Sequence, residues 1–115
     1  MFAQILFGGG VNVEKIANLK DIKRGGSLYF NYKGQRAILV RTKKGDLVAY
    51  VAVCPHQRAS ILWDNQINKL ICECHLSLFN VEDGSVYKHS SLFELKQGLT
   101  KIELKVDDNK DIYAV

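Results

Sequence analysis

The chain has 115 residues, of which 47% are hydrophobic and 24% are charged, so it has the size and composition of one globular domain. No apolar run approaches the roughly 20 residues that a membrane-spanning helix requires. The formal charge of +4 comes from Lys and Arg residues scattered along the chain. We therefore expect no membrane span and no nucleic-acid binding, for which a dense basic patch is typical. An acidic protein partner is compatible with this charge.

The first ten residues are apolar and end in three glycines, Gly8 to Gly10. The segment lacks the basic start and the cleavage site of a secretory signal. We expect residues 1–10 to form a short strand or tail with the glycines as a hinge, in a cytoplasmic protein.

Short apolar and β-branched segments separated by turn residues follow along the chain. Val11–Ile16 fits a strand, although its apolar spacing also fits a turn of helix. The seven-residue apolar run Leu47–Val53 predicts a buried central strand. Asp83-Gly84 has turn chemistry, and Thr100–Val106 alternates as a half-buried strand does. Further strands are predicted at Ser27–Tyr32, Gln35–Thr42, Gly84–Tyr87 and Asp111–Val115. The sequence therefore predicts one all-β domain over residues 1–115, an antiparallel sandwich or small barrel.

Two clusters of metal-ligand residues interrupt this pattern. Cys54-Pro55-His56 forms a Cys-x-His motif, and Cys72 and His75 form a Cys-x-x-His motif after fifteen intervening residues, 57 to 71. Each cluster follows a strand-like run, so each can be a loop on a rigid scaffold. Two thiolates and two imidazoles in this arrangement can converge on one metal centre.

These two motifs and their separation resemble those of the Rieske [2Fe–2S] proteins. The pattern matches at Cys54, His56, Cys72 and His75, and Cys-Pro-His followed by Ala59-Ser60-Ile61 is similar to the first loop of Rieske ferredoxins and oxygenases. The resemblance implies a β-sandwich or barrel of the Rieske type with an inserted cluster-binding subdomain whose loops span residues 54–79. It also implies that the cysteines hold one iron and the histidines hold the other.

The resemblance implies a one-electron carrier with a Rieske-type [2Fe–2S] cluster. Two ferric ions, two sulfides and two thiolates sum to zero charge, whereas an all-cysteine site is two charges more negative. Rieske potentials are accordingly higher, at roughly −150 to +300 mV. We expect a soluble ferredoxin, similar to sulredoxin-like and oxygenase-associated ferredoxins, that is a monomer and not an enzyme. Its expected partners are a reductase as donor and an oxygenase or other oxidoreductase as acceptor.

Several positions depart from relatives in the cytochrome-complex branch of the family. There a disulfide bridges the cluster loops; Cys74 matches one of its cysteines, but Ala59 stands in the place of the other. High-potential relatives also place a Ser and a Tyr after the last ligand, where this chain has Ser77 and Phe79. The resemblance implies that Ser77 donates a hydrogen bond to the cluster. We expect a midpoint potential between those of the cytochrome-complex branch and the soluble ferredoxin branch of the family.

Two other functions remain open from the sequence. The chain could be a small electron-transfer subunit of a larger oxidoreductase complex. It could also be a structural zinc module, since two Cys and two His make a tetrahedral zinc site. The mixed order of Cys and His fits zinc fingers poorly, because those more often pair Cys with Cys and His with His.

Overall fold

The computed structural model describes residues 4–7, 11–54, 60–73, 76–88 and 97–115, with the backbone alone for 4–7 and 11–13. These residues contain twelve strands and one single-turn 3₁₀ helix, Leu19–Asp21. The strands are β1 Gln4–Phe7, β2 Val11–Asn18, β3 Ser27–Tyr32, β4 Gln35–Arg41, β5 Leu47–Val51, β6 Ile61–Asp64, β7 Lys69–Cys72, β8 Leu78–Asn80, β9 Val86–Lys88, β10 Lys101–Ile102, β11 Leu104–Val106 and β12 Asp111–Ala114.

The strands form three antiparallel sheets of four strands each. The first has the order β1-β2-β12-β11, the second β10-β5-β4-β3, and the third β6-β7-β8-β9. The third sheet is a meander of consecutive strands inserted between β5 and β10. This arrangement confirms the predicted all-β fold with an inserted subdomain.

The second sheet is the middle layer, because β4 is buried on both faces. Ile38 and Val40 pack in one core with residues of the third sheet. Ala37 and Leu39 alternate with them and pack in a second core with residues of the first sheet. All four side chains have no exposed area. A strand covered on both faces is continuously apolar, which explains why this segment shows no polar alternation.

One open prediction is decided by the structure, and another is wrong. The segment Val11–Ile16, which also fitted a turn of helix, belongs to a strand, since Val11–Asn18 pairs with both β1 and β12. The single strand predicted over Thr100–Val106 is divided instead. Its first part, β10, pairs with β5, whereas β11 pairs with β12 in a different sheet. The chain crosses from the second sheet to the first at Glu103. The polar and apolar alternation of Thr100–Val106 continues through this crossing in the sequence, so it did not reveal the change of partner strand.

No helix among the described residues is long and apolar enough to cross a membrane. The strand predicted within residues 1–10 is present as β1, and the glycines Gly8 to Gly10 lie outside the described residues.

Candidate metal centre

Cys54 lies at the end of the segment that continues β5. Just beyond that strand, Val53 forms an isolated antiparallel bridge with Ser60. The N–H of Ile61 donates to the carbonyl of Ala52 at 3.3 Å. Cys54 itself is 3% exposed. The segment leading into Cys54 is thus held against the start of β6, with the cysteine side chain buried.

Cys72 is the last residue of β7 and is held from both sides. Its Cα partner in β6 is Ile61. Its N–H donates to the carbonyl of Ser77 at 2.9 Å, which extends the β7–β8 ladder by one residue pair. The side chain of Cys72 is 1% exposed.

The pairing around β6 brings the two cysteines to the same end of the subdomain. The segment before Cys54 and the strand β7 both run antiparallel to the chain at Ser60 and Ile61. Two segments that are antiparallel to the same neighbour run in the same direction. Each ends in its cysteine, so Cys54 and Cys72 lie at the same end of the subdomain. The two cluster-binding loops predicted from the sequence follow these cysteines, and we call residues 55–59 the first loop and residues 73–76 the second loop. His56 belongs to the first loop and His75 to the second.

Apolar side chains surround both cysteines, which belong to the same core. Thiolate sulfur is the ligand that iron–sulfur centres use, and an apolar shell limits the access of solvent to such a centre. Within the described ranges, no group of three or more His, Cys, Asp or Glu is arranged to hold a metal. The two buried sulfur donors fit the cysteine half of the predicted site. The other members of this core are Ile38, Val40, Val48, Tyr50, Ala52, Ile61, Leu70, Phe79, Val81 and Leu99.

The second loop is closed at its base by backbone hydrogen bonds. The N–H of Leu76 donates to the carbonyl of Cys72 at 2.9 Å, next to the bond between Cys72 and Ser77. Leu76 has a φ of 59°, a left-handed conformation that a leucine rarely adopts. Its side chain is 70% exposed. The strained backbone at Leu76 lets the chain turn back into β8 immediately after His75.

Ser77 and Phe79 lie beside Cys72 on the neighbouring strand and its extension. Ser77 is 2% exposed, one of two buried polar side chains among the described residues, and Phe79 has no exposed area. Phe79 and Cys72 share one core. A hydroxyl is therefore buried at position 77, next to the cysteine, and position 79 offers only an aromatic ring.

The predicted Asp83-Gly84 turn contacts Gly98 and Leu99. The Asp83 carboxylate accepts from the N–H and Oγ of Ser85, and these bonds lower the pKa of Asp83. Gly84 has a φ of 77°, and its carbonyl accepts from the N–H of Leu99 at 2.8 Å. A Cβ on Gly98 would lie 2.5 Å from the Gly84 carbonyl oxygen. These contacts hold Gly98 and Leu99 against the turn.

Sequence reasoning missed a polar group beside the first loop. Arg36 donates a hydrogen bond from Nη1 to Oγ of Ser60 at 2.8 Å. The guanidinium carbon of Arg36 lies 5.5 Å from the centre of the Tyr29 ring. Arg36, Tyr29 and Ser60 are far apart in the sequence. The one sequence signal for this contact was Ser60, which belongs to the segment that is similar to the first loop of Rieske ferredoxins.

Four residues singled out in the sequence lie outside the described residues. They are the predicted ligands His56 and His75, together with Cys74 and the Ala59 that stands opposite it in the family pattern.

The protein is thus an all-β domain with an inserted four-stranded meander and two buried cysteines at the same end of it, Cys54 just before the meander and Cys72 on its second strand. A model of the Rieske [2Fe-2S] domain matches residues 12–98, and the chain belongs to this family. The protein is thus a Rieske-type electron carrier, and the cofactor of this family is a Rieske-type [2Fe–2S] cluster.

Solved structures share the fold at low sequence identity. The cyanobacterial plasma membrane Rieske protein PetC3 from Synechocystis PCC 6803 superposes with a TM-score of 0.73 at 22% identity, over 88% of this chain and 97% of that one. The ferredoxin of carbazole 1,9a-dioxygenase from Nocardioides aromaticivorans IC177 superposes with a TM-score of 0.72 at 19% identity, over 90% of this chain and 96% of that one.

Longer proteins contain the same fold as one part. A chain in the reduced complex between oxygenase and ferredoxin in carbazole 1,9a-dioxygenase has a TM-score of 0.70 at 15% identity. The match takes in 87% of this chain and 27% of that chain. No curated protein sequence matches this chain.

Proposed function

We propose that Cys54, His56, Cys72 and His75 hold the cluster, and that the protein passes single electrons from a reductase to a terminal oxidoreductase such as an oxygenase. The observation that carries this proposal is the common direction of the two cysteine-bearing segments. It brings Cys54 and Cys72 to the same end of the subdomain, and His56 and His75 follow these cysteines by two and three positions in the sequence.

The bound cluster would supply one-electron redox chemistry, and the chain's own residues set the conditions for it. The two cysteines would hold one iron and the two histidines the other. The apolar core around Cys54 and Cys72 limits water near the sulfur ligands. Ser77 would donate a hydrogen bond toward the cluster. Such a bond stabilises the additional negative charge of the reduced state, so it raises the potential.

We further propose that residues 1–115 form one domain, with cluster-binding loops between residues 54 and 79, and that the chain has no catalytic domain. The dioxygenase ferredoxin supports this, because nearly all of its chain superposes on this one. The exposed side chain of Leu76, next to His75 in the sequence, provides an apolar contact for a redox partner.

Cofactor identity and ligation are tested together on the purified protein. The visible spectrum and the EPR spectrum of the reduced protein are recorded for the wild type, Cys72→Ser, His75→Ala and Cys74→Ser. We expect the wild type and Cys74→Ser to show visible absorption and a signal typical of His-ligated [2Fe–2S] centres. Cys72→Ser and His75→Ala should lose this signal. Cys74→Ser is the matched control, because it removes a neighbouring thiol that we do not assign as a ligand.

Each alternative has its own outcome in this experiment. A colourless wild-type protein that contains zinc and no iron would establish the structural zinc module. A coloured protein that co-purifies in a fixed ratio with another polypeptide would be a subunit of a larger oxidoreductase. Loss of the signal in Cys74→Ser would show that the ligand assignment is wrong.

A further inference from the structure

Arg36, on β4, contacts the chain on both sides of the first loop. Its side chain donates to Oγ of Ser60 at 2.8 Å, directly after that loop. Its backbone carbonyl accepts from the N–H of Ala52 at 2.8 Å, two residues before Cys54. One arginine therefore connects the chain entering the first loop with the chain leaving it.

Ser60 is in turn shared between the two cysteine-bearing segments. It forms the bridge with Val53, the residue before Cys54. Its carbonyl accepts from the N–H of Glu73, the residue after Cys72, at 3.0 Å. Any displacement of Ser60 is thereby transmitted to the neighbours of both cysteines.

Tyr29, on β3, supports the same place. Its hydroxyl donates to the carbonyl of Ile61 at 2.7 Å, and its ring lies beneath the guanidinium of Arg36. Burial raises the pKa of Tyr29, and the negative charge of Glu73 raises it further, while Arg36 opposes both. The phenol therefore stays protonated at neutral pH and can act as a donor. Arg36 and Tyr29 together hold two consecutive residues, Ser60 and Ile61.

We propose that Arg36 is a positioning residue of the metal centre: through Ser60 it sets the placement of the Cys54 segment relative to the Cys72 segment. This inference rests on the proposed ligation by Cys54 and Cys72. If the two segments share one cluster, a mobile Ser60 lets their sulfur ligands move apart. The bound cluster is then lost faster, and its spectrum reports a less uniform environment.

The test compares five variants of the cluster-loaded protein with the wild type. They are Arg36→Ala, Ser60→Ala, the double variant of both, Arg36→Lys and Arg24→Ala. Arg24→Ala is the matched control: Arg24 is another exposed arginine, and it lies near the β4–β5 turn at Gly45, at the opposite end of β4 from Arg36. The rate of cluster loss to a chelator is followed by visible absorbance, and the EPR spectrum of the reduced protein is recorded.

Arg36→Ala and Ser60→Ala should each lose the cluster about fivefold faster and broaden the EPR signal, since one hydrogen bond is removed in each. The double variant should be no faster than either single variant, because both changes remove the same interaction. Arg36→Lys, which keeps the charge and a donor, should recover most of the wild-type rate. Arg24→Ala should match the wild type in both measurements.

Two results would overturn the inference. The first is a wild-type rate and spectrum in both Arg36→Ala and Ser60→Ala, whether or not their urea unfolding changes. The second is a double variant whose acceleration equals the product of the two single effects, which would show independent roles. If the wild type binds no iron, the ligation proposal itself fails, so the two failures are distinguishable.

Discussion

At the scale of single residues, two buried hydroxyl groups lie in or beside the core that contains Cys54 and Cys72. Ser77 is buried beside Cys72, where most neighbours are apolar. Tyr50 is buried in the same core, and its hydroxyl donates to the carbonyl of Val81 at 2.6 Å. Buried polar groups of this kind are costly to leave without partners, so changes at these positions have measurable effects.

Replacing Ser77 by Ala should lower the midpoint potential of the cluster. The proposed hydroxyl donor stabilises the reduced state, and a hydrogen bond contributes about 0.5–1.5 kcal/mol, or about 20–60 mV for one electron. Redox titration of the two proteins measures the shift. Ser85→Ala is a control at a partly buried serine in the Asp83-Gly84 turn, and its potential should be unchanged. Equal potentials in Ser77→Ala and the wild type would contradict the role of Ser77.

The hydroxyl of Tyr50 should make folding stability depend on pH in the alkaline range. Burial raises the pKa of Tyr50 strongly above 10.0, and the charges of Asp83 and Glu82 raise it further. The unfolded chain loses this proton near pH 10, at a lower pH than the folded chain, so stability falls above about pH 10 by up to roughly 1.4 kcal/mol per pH unit. Urea unfolding of the wild type and Tyr50→Phe at several pH values measures this effect.

At neutral pH, Tyr50→Phe should be less stable by roughly 1–2 kcal/mol, because the carbonyl of Val81 loses its donor. The difference should shrink as the pH rises above about 10. Tyr87→Phe, at a ring that is 60% exposed, is the control, and its free energy of unfolding should be close to that of the wild type at every pH. A difference between Tyr50→Phe and the wild type that stays constant with pH would contradict the prediction.

At the scale of elements, the turn between β8 and β9 also contacts a distant part of the chain. The Asp83-Gly84 turn returns the chain into β9 and accepts the hydrogen bond from Leu99. This turn was predicted from its dipeptide, because the chemistry of a tight turn is local. The contact of this turn with residues 97–99 could not be predicted, because it depends on a distant part of the chain.

Gly84→Ala should destabilise the protein more than Gly34→Ala does. Both glycines have positive φ, 77° and 83°. A Cβ at Gly84 would lie 2.7 Å from the Tyr50 ring and 3.1 Å from the Leu99 carbonyl, whereas at Gly34 it would meet nothing within 4 Å. We expect a loss of roughly 2–4 kcal/mol for the first and about 1 kcal/mol for the second. Urea unfolding measures both, and equal losses would show that backbone strain alone decides the effect.

At the scale of the whole molecule, the middle sheet separates two cores. One contains both cysteines and joins β4 and β5 to the inserted meander. The other joins the same two strands to β2 and β12 and contains no proposed ligand. A group that binds only the folded protein stabilises the parts that hold it, so loss of the cluster should affect the two cores unequally.

Removing the cluster should loosen the meander before the rest of the fold. We expect hydrogen exchange of amides in β6, β7 and β8 to become faster in the metal-free protein, because their core includes Cys54 and Cys72. Amides in β2 and β12 should keep most of their protection, since their core is separate. Exchange followed by mass spectrometry on both forms measures this. Uniform acceleration over all strands would show that the two cores unfold as one unit.

The elements whose signals are local could be predicted from adjacent residues. The strands β3, β4, β5 and β12, the Asp83-Gly84 turn and the spacing of the four predicted ligands follow from adjacent residues. The local chemistry of propensity, turns and ligand type is encoded within a few positions. The strand pattern also predicts the all-β fold, which the three antiparallel sheets confirm. The family resemblance adds the cluster, which the match over residues 12–98 confirms.

How these elements meet depends on contacts between residues far apart in the chain, which the folded structure shows. The fold placed Ser60 and Ile61 between the two cysteine segments, and it split the predicted strand over Thr100–Val106 between two sheets. It also brought Arg36 to Ser60 across 24 positions of sequence. The physical reason is that strand pairing across layers is selected by burial of both faces of the middle sheet. That burial is a property of the whole chain, which no local pattern contains.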